Sequence, residues 1–272
     1  LMAFSRVMFI SGKNLRLTNV SGPISTITVS GPTMVTGNYV AQYSITFAQS
    51  GLDSTATGTI LTVNGNTKAY SNLPYSLWVD TGSSVTYSYT PTVSSSVSGK
   101  QFRLNSVSGS TSPITVSGSV TVTGNFVIQY KLTFTQTGLD SSATGTVVTV
   151  NGNPNGFTSM PFNIWADTGS SVTYSYINVS SSTTGKRFIL ISVGGTSSPI
   201  TVSGSTTITG NYKTQLRITF DQTGVGADFG SAVVTIDSSN YNTASLPAQF
   251  WWDQNSSHTF AFVSPLTVNS SI

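Results

Sequence analysis

The chain has 272 residues, of which 7% are charged, with a single histidine, no cysteine and a formal charge of +3. Its acidic groups are eight aspartates with no glutamate, so catalytic and metal-ligating side chains are scarce, and disulfides and thiolate metal sites are excluded. Scattered Lys and Arg make a nearly neutral surface rather than the basic patch that nucleic acid needs, and no apolar run of about eighteen residues could span a bilayer.

The opening LMAFSRVMFI, Leu1 to Ile10, has no later counterpart, and residues 1–11 read as an N-terminal extension or donor strand. From Gly12 the text becomes repetitive. GKNLRLTNVSG returns as GKQFRLNSVSG at Gly99 and GKRFILISVGG at Gly185, and STITVSGPTMVTGNY returns as SPITVSGSVTVTGNF and SPITVSGSTTITGNY. The glycines of the three TGN triplets, Gly37, Gly124 and Gly210, are spaced by 87 and then 86 residues. Self-similarity at a fixed period marks a repeat architecture. Residues 12–39 are the C-terminal half of a repeat, 40–126 and 127–212 are full repeats, and 213–272 are the N-terminal half of another.

Within a full repeat, YSITFAQ alternates apolar and polar residues at period two, and GTILTVNG does so before an Asn-Gly turn. Both read as strands. Pro74 opens the next segment, Trp78 sits beside Asp80 and Gly82 at a turn, and Val85, Tyr87 and Tyr89 share a face of a further strand. The second full repeat places Pro161, Trp165, Asp167, Val172, Tyr174 and Tyr176 alike, and the third unit keeps Pro247, Trp251 and Asp253. Six or seven short strands per repeat, and no helical pattern, predict an all-β chain of tandem Ig-like antiparallel β-sandwich repeats of about 87 residues, with the terminal units incomplete.

No residue set points to catalysis, a cofactor or a metal site. His258 aligns with Val85 and Val172, so it reads as a structural replacement of an apolar strand residue. Asp80, Asp167 and Asp253 supply one carboxylate per turn, which suits bonding to the turn backbone and falls short of a calcium cluster. Lys13, Lys100 and Lys186, each beside a glycine, read as exposed. One Trp per repeat reads as the core plug, with a sugar-stacking face formed by Trp78, Trp165 and Trp251 as the alternative. N-x-[ST] acceptors at Asn19, Asn178, Asn255 and Asn269 suit an extracellular glycoprotein.

The succession WxDTGSSVTYSY, GKxFxL and SPITVSGxxTVTGNF resembles the divergent internalin B-type repeat of archaeal and bacterial cell-surface proteins, over nearly all of the chain after the first ten residues. What the resemblance implies is an extracellular adhesive or structural module, not an enzyme.

The two half-repeats are complementary. One contains the elements that the other lacks, so residues 12–39 of one copy would complete residues 215–272 of another by strand donation, and copies of the chain would assemble head-to-tail into a pilus-like thread. The apolar residues expected at that joint are Leu15, Leu17, Val20, Ile24, Ile27, Val29, Val35 and Tyr39. The competing expectation is a fragment of a longer surface-layer or adhesin array that binds glycans or other cells.

Overall fold

The computed structural model describes residues 12–23 and 26–267. The opening extension, Ile24 and Asn269 therefore lie outside the described residues. Strands dominate. The helical segments among the described residues are three single 3-10 turns, Tyr70–Asn72, Phe157–Ser159 and Thr243–Ser245, so the chain is all-β. Among those residues no helix is long and apolar enough to cross a membrane.

Two compact units divide the chain: the first runs to Lys131 and includes Trp165–Gly169, and the second comprises Leu132–Ile164 with Ser170 onward. The first is organised on the strand Thr36–Ser50, whose two halves have different partners. Its first half pairs antiparallel with Lys13–Ser21. Its second half pairs antiparallel with Tyr75–Asp80 and parallel with the stretch Val120–Asn125. The strand Lys100–Ser108 then lies between Val120–Tyr130 and Thr92–Ser95. A smaller sheet joins Leu61–Val63 to Asn66–Lys68 and Tyr87–Tyr89. Ile45, Phe47, Phe102 and Val122 from the large sheet share one buried cluster with Leu61, Val63 and Tyr89 from the small one.

The second unit repeats this logic. Leu132–Thr137 pairs parallel with Thr206–Asn211, and Lys186–Gly194 pairs antiparallel with Thr209–Leu216 of the strand Thr206–Phe220. Leu132, Phe134, Val148, Phe188 and Ile208 are fully buried. The second half of Thr206–Phe220 pairs with Ala248–Asp253, and a three-stranded sheet joins Ala232–Ile236 to Ser239–Asn242 and Phe260–Phe262.

Expectations about the sheets, the tryptophans and the lysines need correction. The sheets are mixed rather than purely antiparallel, because the first and last strands of a repeat run the same way. The whole of the repeat between them supplies the long connection that a parallel pair requires. The tryptophans are not core plugs. Tyr75, Leu77 and Val79 take the inward positions of their strand, which turns Trp78 outward at 45% exposure, and Trp165 is 40% exposed for the same reason. The repeated lysines of the full repeats are withdrawn from solvent: the Lys100 side chain is 10% exposed, with Nζ 2.5 Å from Asp53 Oδ2 and 3.3 Å from Thr55 Oγ1. Lys186 pairs with Asp140 in the same way.

These pairs tie stability to pH. The Lys100 hydrogen bond first, and then those from Thr55, draw the Asp53 carboxyl down from 3.8 to about 2; Lys186 and Ser142 draw Asp140 down to about 2. A carboxyl lowered by folding stabilises above its unfolded value, and that contribution is lost as pH falls through its folded value. The urea midpoint of the wild-type chain should therefore fall between pH 4 and pH 2. Asp53→Asn with Asp140→Asn should start lower at pH 5 and lose less across that window. Parallel curves for the two proteins would contradict the assignment.

Candidate assembly interface

Alternation places the same apolar positions inward in every repeat, so the half-repeats can be compared with the full ones residue by residue. In the full repeats Phe126 and Tyr212 are 5% and 6% exposed, whereas their counterpart Tyr39 is 62% exposed. Val116 and Val202 are buried, and Val29 is 85% exposed. The same contrast sets Phe102 and Phe188 against Leu15, Ile114 and Ile200 against Ile27, and Val122 and Ile208 against Val35. Leu17 is exposed where Leu104 and Leu190 are half-buried. The described part of residues 12–39 therefore leaves exposed the apolar positions that the full repeats bury or half-bury.

Val20 does not belong to that face, since Val107 and Val193 remain exposed in the complete repeats. A bulge breaks the pairing register between Leu17 and Asn19, as it does between Leu104 and Ser106 and between Leu190 and Ser192. One inserted residue reverses which side chains face inward beyond it.

The C-terminal half-repeat shows the complementary deficit. Ile218 is 38% exposed where Ile45 and Leu132 are inaccessible, and Phe262 is 49% exposed where Tyr89 and Tyr176 are buried. Its residual cluster is Phe220, Val234 and Ile236, with Phe250 and Trp252 packed against it. In a full repeat the missing wall comes from the last strand. Tyr89 Oη donates to Ala48 O at 2.6 Å and to Val122 O at 3.1 Å, and Ser50 Oγ donates to Asn125 Oδ1 at 3.0 Å. Burial pushes the Tyr89 phenol up to about 12.

Two glycine sets record the same close approach. A Cβ on Gly51 would collide with the Phe126 carbonyl, and one on Gly138 with the Tyr212 carbonyl. Gly224, with the same positive φ, meets nothing within 4 Å. Likewise Gly124 and Gly210 lie against the rings of Tyr89 and Tyr176, while their counterpart Gly37 faces Tyr39 and Leu17 of its own hairpin.

Side chains beside these strands are fixed by ion pairs. Asp80 accepts from Arg16 Nε at 3.1 Å and Gln42 Nε2 at 2.8 Å; Asp167 accepts from Arg103 Nη2 at 2.7 Å and Gln129 Nε2 at 2.8 Å. Asp253 accepts from Lys213 Nζ at 2.8 Å and Gln215 Nε2 at 3.0 Å. The cation changes strand between sets: Arg16 and Arg103 stand opposite Val40 and Val127, whereas Ile189 stands opposite Lys213. The partners found for Asp80 and Asp253 are thus side chains of flanking strands, not the turn backbone that the sequence suggested. These contacts hold all three carboxyls below their ordinary range. Among the described residues no cluster of three His, Cys, Asp or Glu could hold a metal ion.

His258 is more than an apolar replacement. Its ring stacks on Trp252 at 3.8 Å, Nδ1 lies 2.6 Å from Asp237 Oδ2, and Nε2 lies 2.9 Å from Ser256 Oγ. The order Ser, His, Asp is that of a hydrolytic triad. Yet Ser256 Oγ donates to Asp253 O at 2.6 Å, which commits the proton that a nucleophile would hand to the imidazole. Asp237 occupies the left-handed turn position of Asn64 and Asn151 and accepts from Thr259 N as they accept from Thr86 N and Thr173 N. The paired change from Asn and Val to Asp and His was visible within the repeats. The glycosylation candidates Asn19, Asn178 and Asn255 are all exposed.

No protein-family model matches this chain, and no curated protein matches it in sequence.

The glycines give a direct check. Gly138→Ala combines backbone strain with a collision, whereas Gly224→Ala carries only the left-handed backbone cost of about 1–2 kcal/mol. Thermal unfolding of the dilute chain should show the larger loss for Gly138→Ala. Equal losses would mean that the carbonyl approach at Gly138 is not structural.

Proposed function

We propose that this chain is a structural subunit of an extracellular, cell-surface filament built from tandem Ig-like repeats. Copies assemble head-to-tail by strand donation: residues 12–39 of one chain complete the C-terminal half-repeat of the next. The observation that carries this reading is that each half-repeat leaves exposed the apolar positions that the full repeats bury. Leu15, Leu17, Ile27, Val29, Val35 and Tyr39 on one side answer Ile218, Phe260 and Phe262 on the other.

The full repeats supply a template for the joint. Val120 pairs with Ile45 and Leu132 with Thr206, each in a parallel ladder six residues long. Carried over at the repeat spacing, Thr33 of the incoming copy pairs with Ile218, Val35 with Phe220 and Asn38 with Thr223. The Tyr39 carbonyl then seats over Gly224, and Gly37 receives the Phe262 ring.

Nine side chains, each roughly half exposed, amount to between four and five full burials, on the order of 7–14 kcal/mol. Association costs about 4–15 kcal/mol. The apolar contact thus offsets the cost of association, and backbone pairing along several strands makes the joint durable. A contact between different surfaces of identical copies is heterologous, so it extends into a thread where the rotation does not close. No catalytic role is proposed.

A second reading rests on the outward tryptophans. Trp78 and Trp165 expose indole faces once per repeat, which suits stacking on sugar rings, so a glycan-binding adhesin is the alternative. Trp251 differs in having the Arg187 guanidinium 4.4 Å above its ring. Because Trp78 and Trp165 lie outside the core, their replacement by Ala separates glycan capture from folding. A glycan array that binds the wild-type chain and loses the double variant would favour the adhesin.

Electron microscopy and light scattering of the purified chain test the filament. The wild-type chain should form concentration-dependent threads, and both removal of residues 1–39 and Gly224→Ala should leave monomers. A wild-type chain that stays monomeric at high concentration, or threads that persist without residues 1–39, would contradict it.

A further inference from the structure

We infer that the joint is keyed by a charge pair between Lys13 of one copy and Asp228 of the next, which sets the order and register in which copies meet. This rests on the head-to-tail reading above.

In the full repeats, a lysine at the start of one strand reaches an aspartate in the loop after the first strand: Lys100 reaches Asp53, and Lys186 reaches Asp140. Lys13 occupies the same position in the N-terminal half-repeat. The C-terminal half-repeat has Gly226 where the other loops have aspartate, so a plain copy of the pair is impossible. The carboxylate has instead moved two residues along. Asp228 stands where Thr55 and Ser142 stand, and Thr55 Oγ1 is the second contact of Lys100 Nζ, at 3.3 Å.

The loop backbone keeps its turn despite the change. Ala56 N donates to Asp53 O at 3.0 Å, Ala143 N to Asp140 O at 2.9 Å, and Phe229 N to Gly226 O at 3.2 Å. Asp228 is therefore carried at the Thr55 position, and its carboxylate folds back against Gly226, the residue that replaces Asp53, so a negative charge stays in the part of the loop that a lysine meets in the full repeats.

Charge accounting points the same way. Among the described residues five of the eight aspartates are ion-paired with Lys or Arg and Asp237 faces His258, which leaves Asp221 and Asp228. Asp221 has its Oδ1 engaged by Gln222 N at 2.8 Å. Lys13 and Asp228 are both exposed, and neither joins an ion pair among the described residues. A charge withdrawn from water is costly without its partner, so such a pair discriminates against wrong registers more than it adds affinity.

Charge reversal provides the test, read as the critical concentration for thread formation by light scattering. Lys13→Glu and Asp228→Lys should each raise it at least about tenfold, and the two changes in one chain should bring it back to within about threefold of wild type. Circular dichroism of each dilute variant establishes that the monomer is folded. Single variants that assemble as wild type does, or a double variant that fails to recover, would overturn the key while leaving the strand-donation reading intact. A wild-type chain that forms no threads would overturn both.

Discussion

A strand of 15 residues, Thr36–Ser50, satisfies two partners in succession, and the rest of the arrangement follows from that. Its first half closes a hairpin with Lys13–Ser21, and its second half opens a sheet that Val120–Asn125 completes from the far end of the repeat. Thr206–Phe220 does the same with Lys186–Gly194 and Ala248–Asp253. A repeat built this way cannot bury its core until its last strand arrives. Ile45 and Phe47 are inaccessible because Val122 and Phe126 have come back beside them, and Ile218 is open because no such strand lies beside it among the described residues.

The closing contact is specified by small features rather than by apolar area alone. Gly51 and Gly138 admit a backbone carbonyl where any Cβ would exclude it, and Tyr89 and Tyr176 each bond to carbonyls on the first and the last strand. The C-terminal half-repeat keeps the glycine but carries Phe262 in place of the tyrosine. In the proposed joint Phe262 would make neither of the tyrosine's carbonyl contacts, and its ring would meet Gly37 of the incoming copy. The ion pairs at Asp80, Asp167 and Asp253 add orientation, and the exchange of Arg103 for Lys213 on the opposite strand retains the charge while changing the residue that bears it.

Much of this was legible in the sequence wherever the signal was local. Alternation in YSITFAQ marked the strand in which Ile45 and Phe47 are buried, and the TGN triplets gave the spacing of the sequence repeat. Parallel pairing was not legible, because its partners lie a whole repeat apart and leave no mark on the intervening residues. The outward orientation of Trp78 is hidden because one Trp per repeat suggests a plug, although Tyr75, Leu77 and Val79 already claim the inward positions. Burial of Lys100 depends on Asp53, and the departure of Val20 from the core face depends on a bulge that only strand pairing reveals. At the candidate joint, the apolar residues were readable one by one. The roles proposed for Gly224 and Asp228 required the full repeats as a geometric standard.

The most direct measurement uses the absence of native cysteine. Thr36 and Asp221 stand where Thr123 pairs with Ala48 in the first full repeat and Thr209 pairs with Thr135 in the second. Chains carrying Thr36→Cys should form mixed disulfides with separately prepared chains carrying Asp221→Cys under mild oxidation. Chains carrying Thr219→Cys, two positions out of register, should cross-link far less. Indifferent cross-linking at both positions, or none at either, would contradict strand donation in this register.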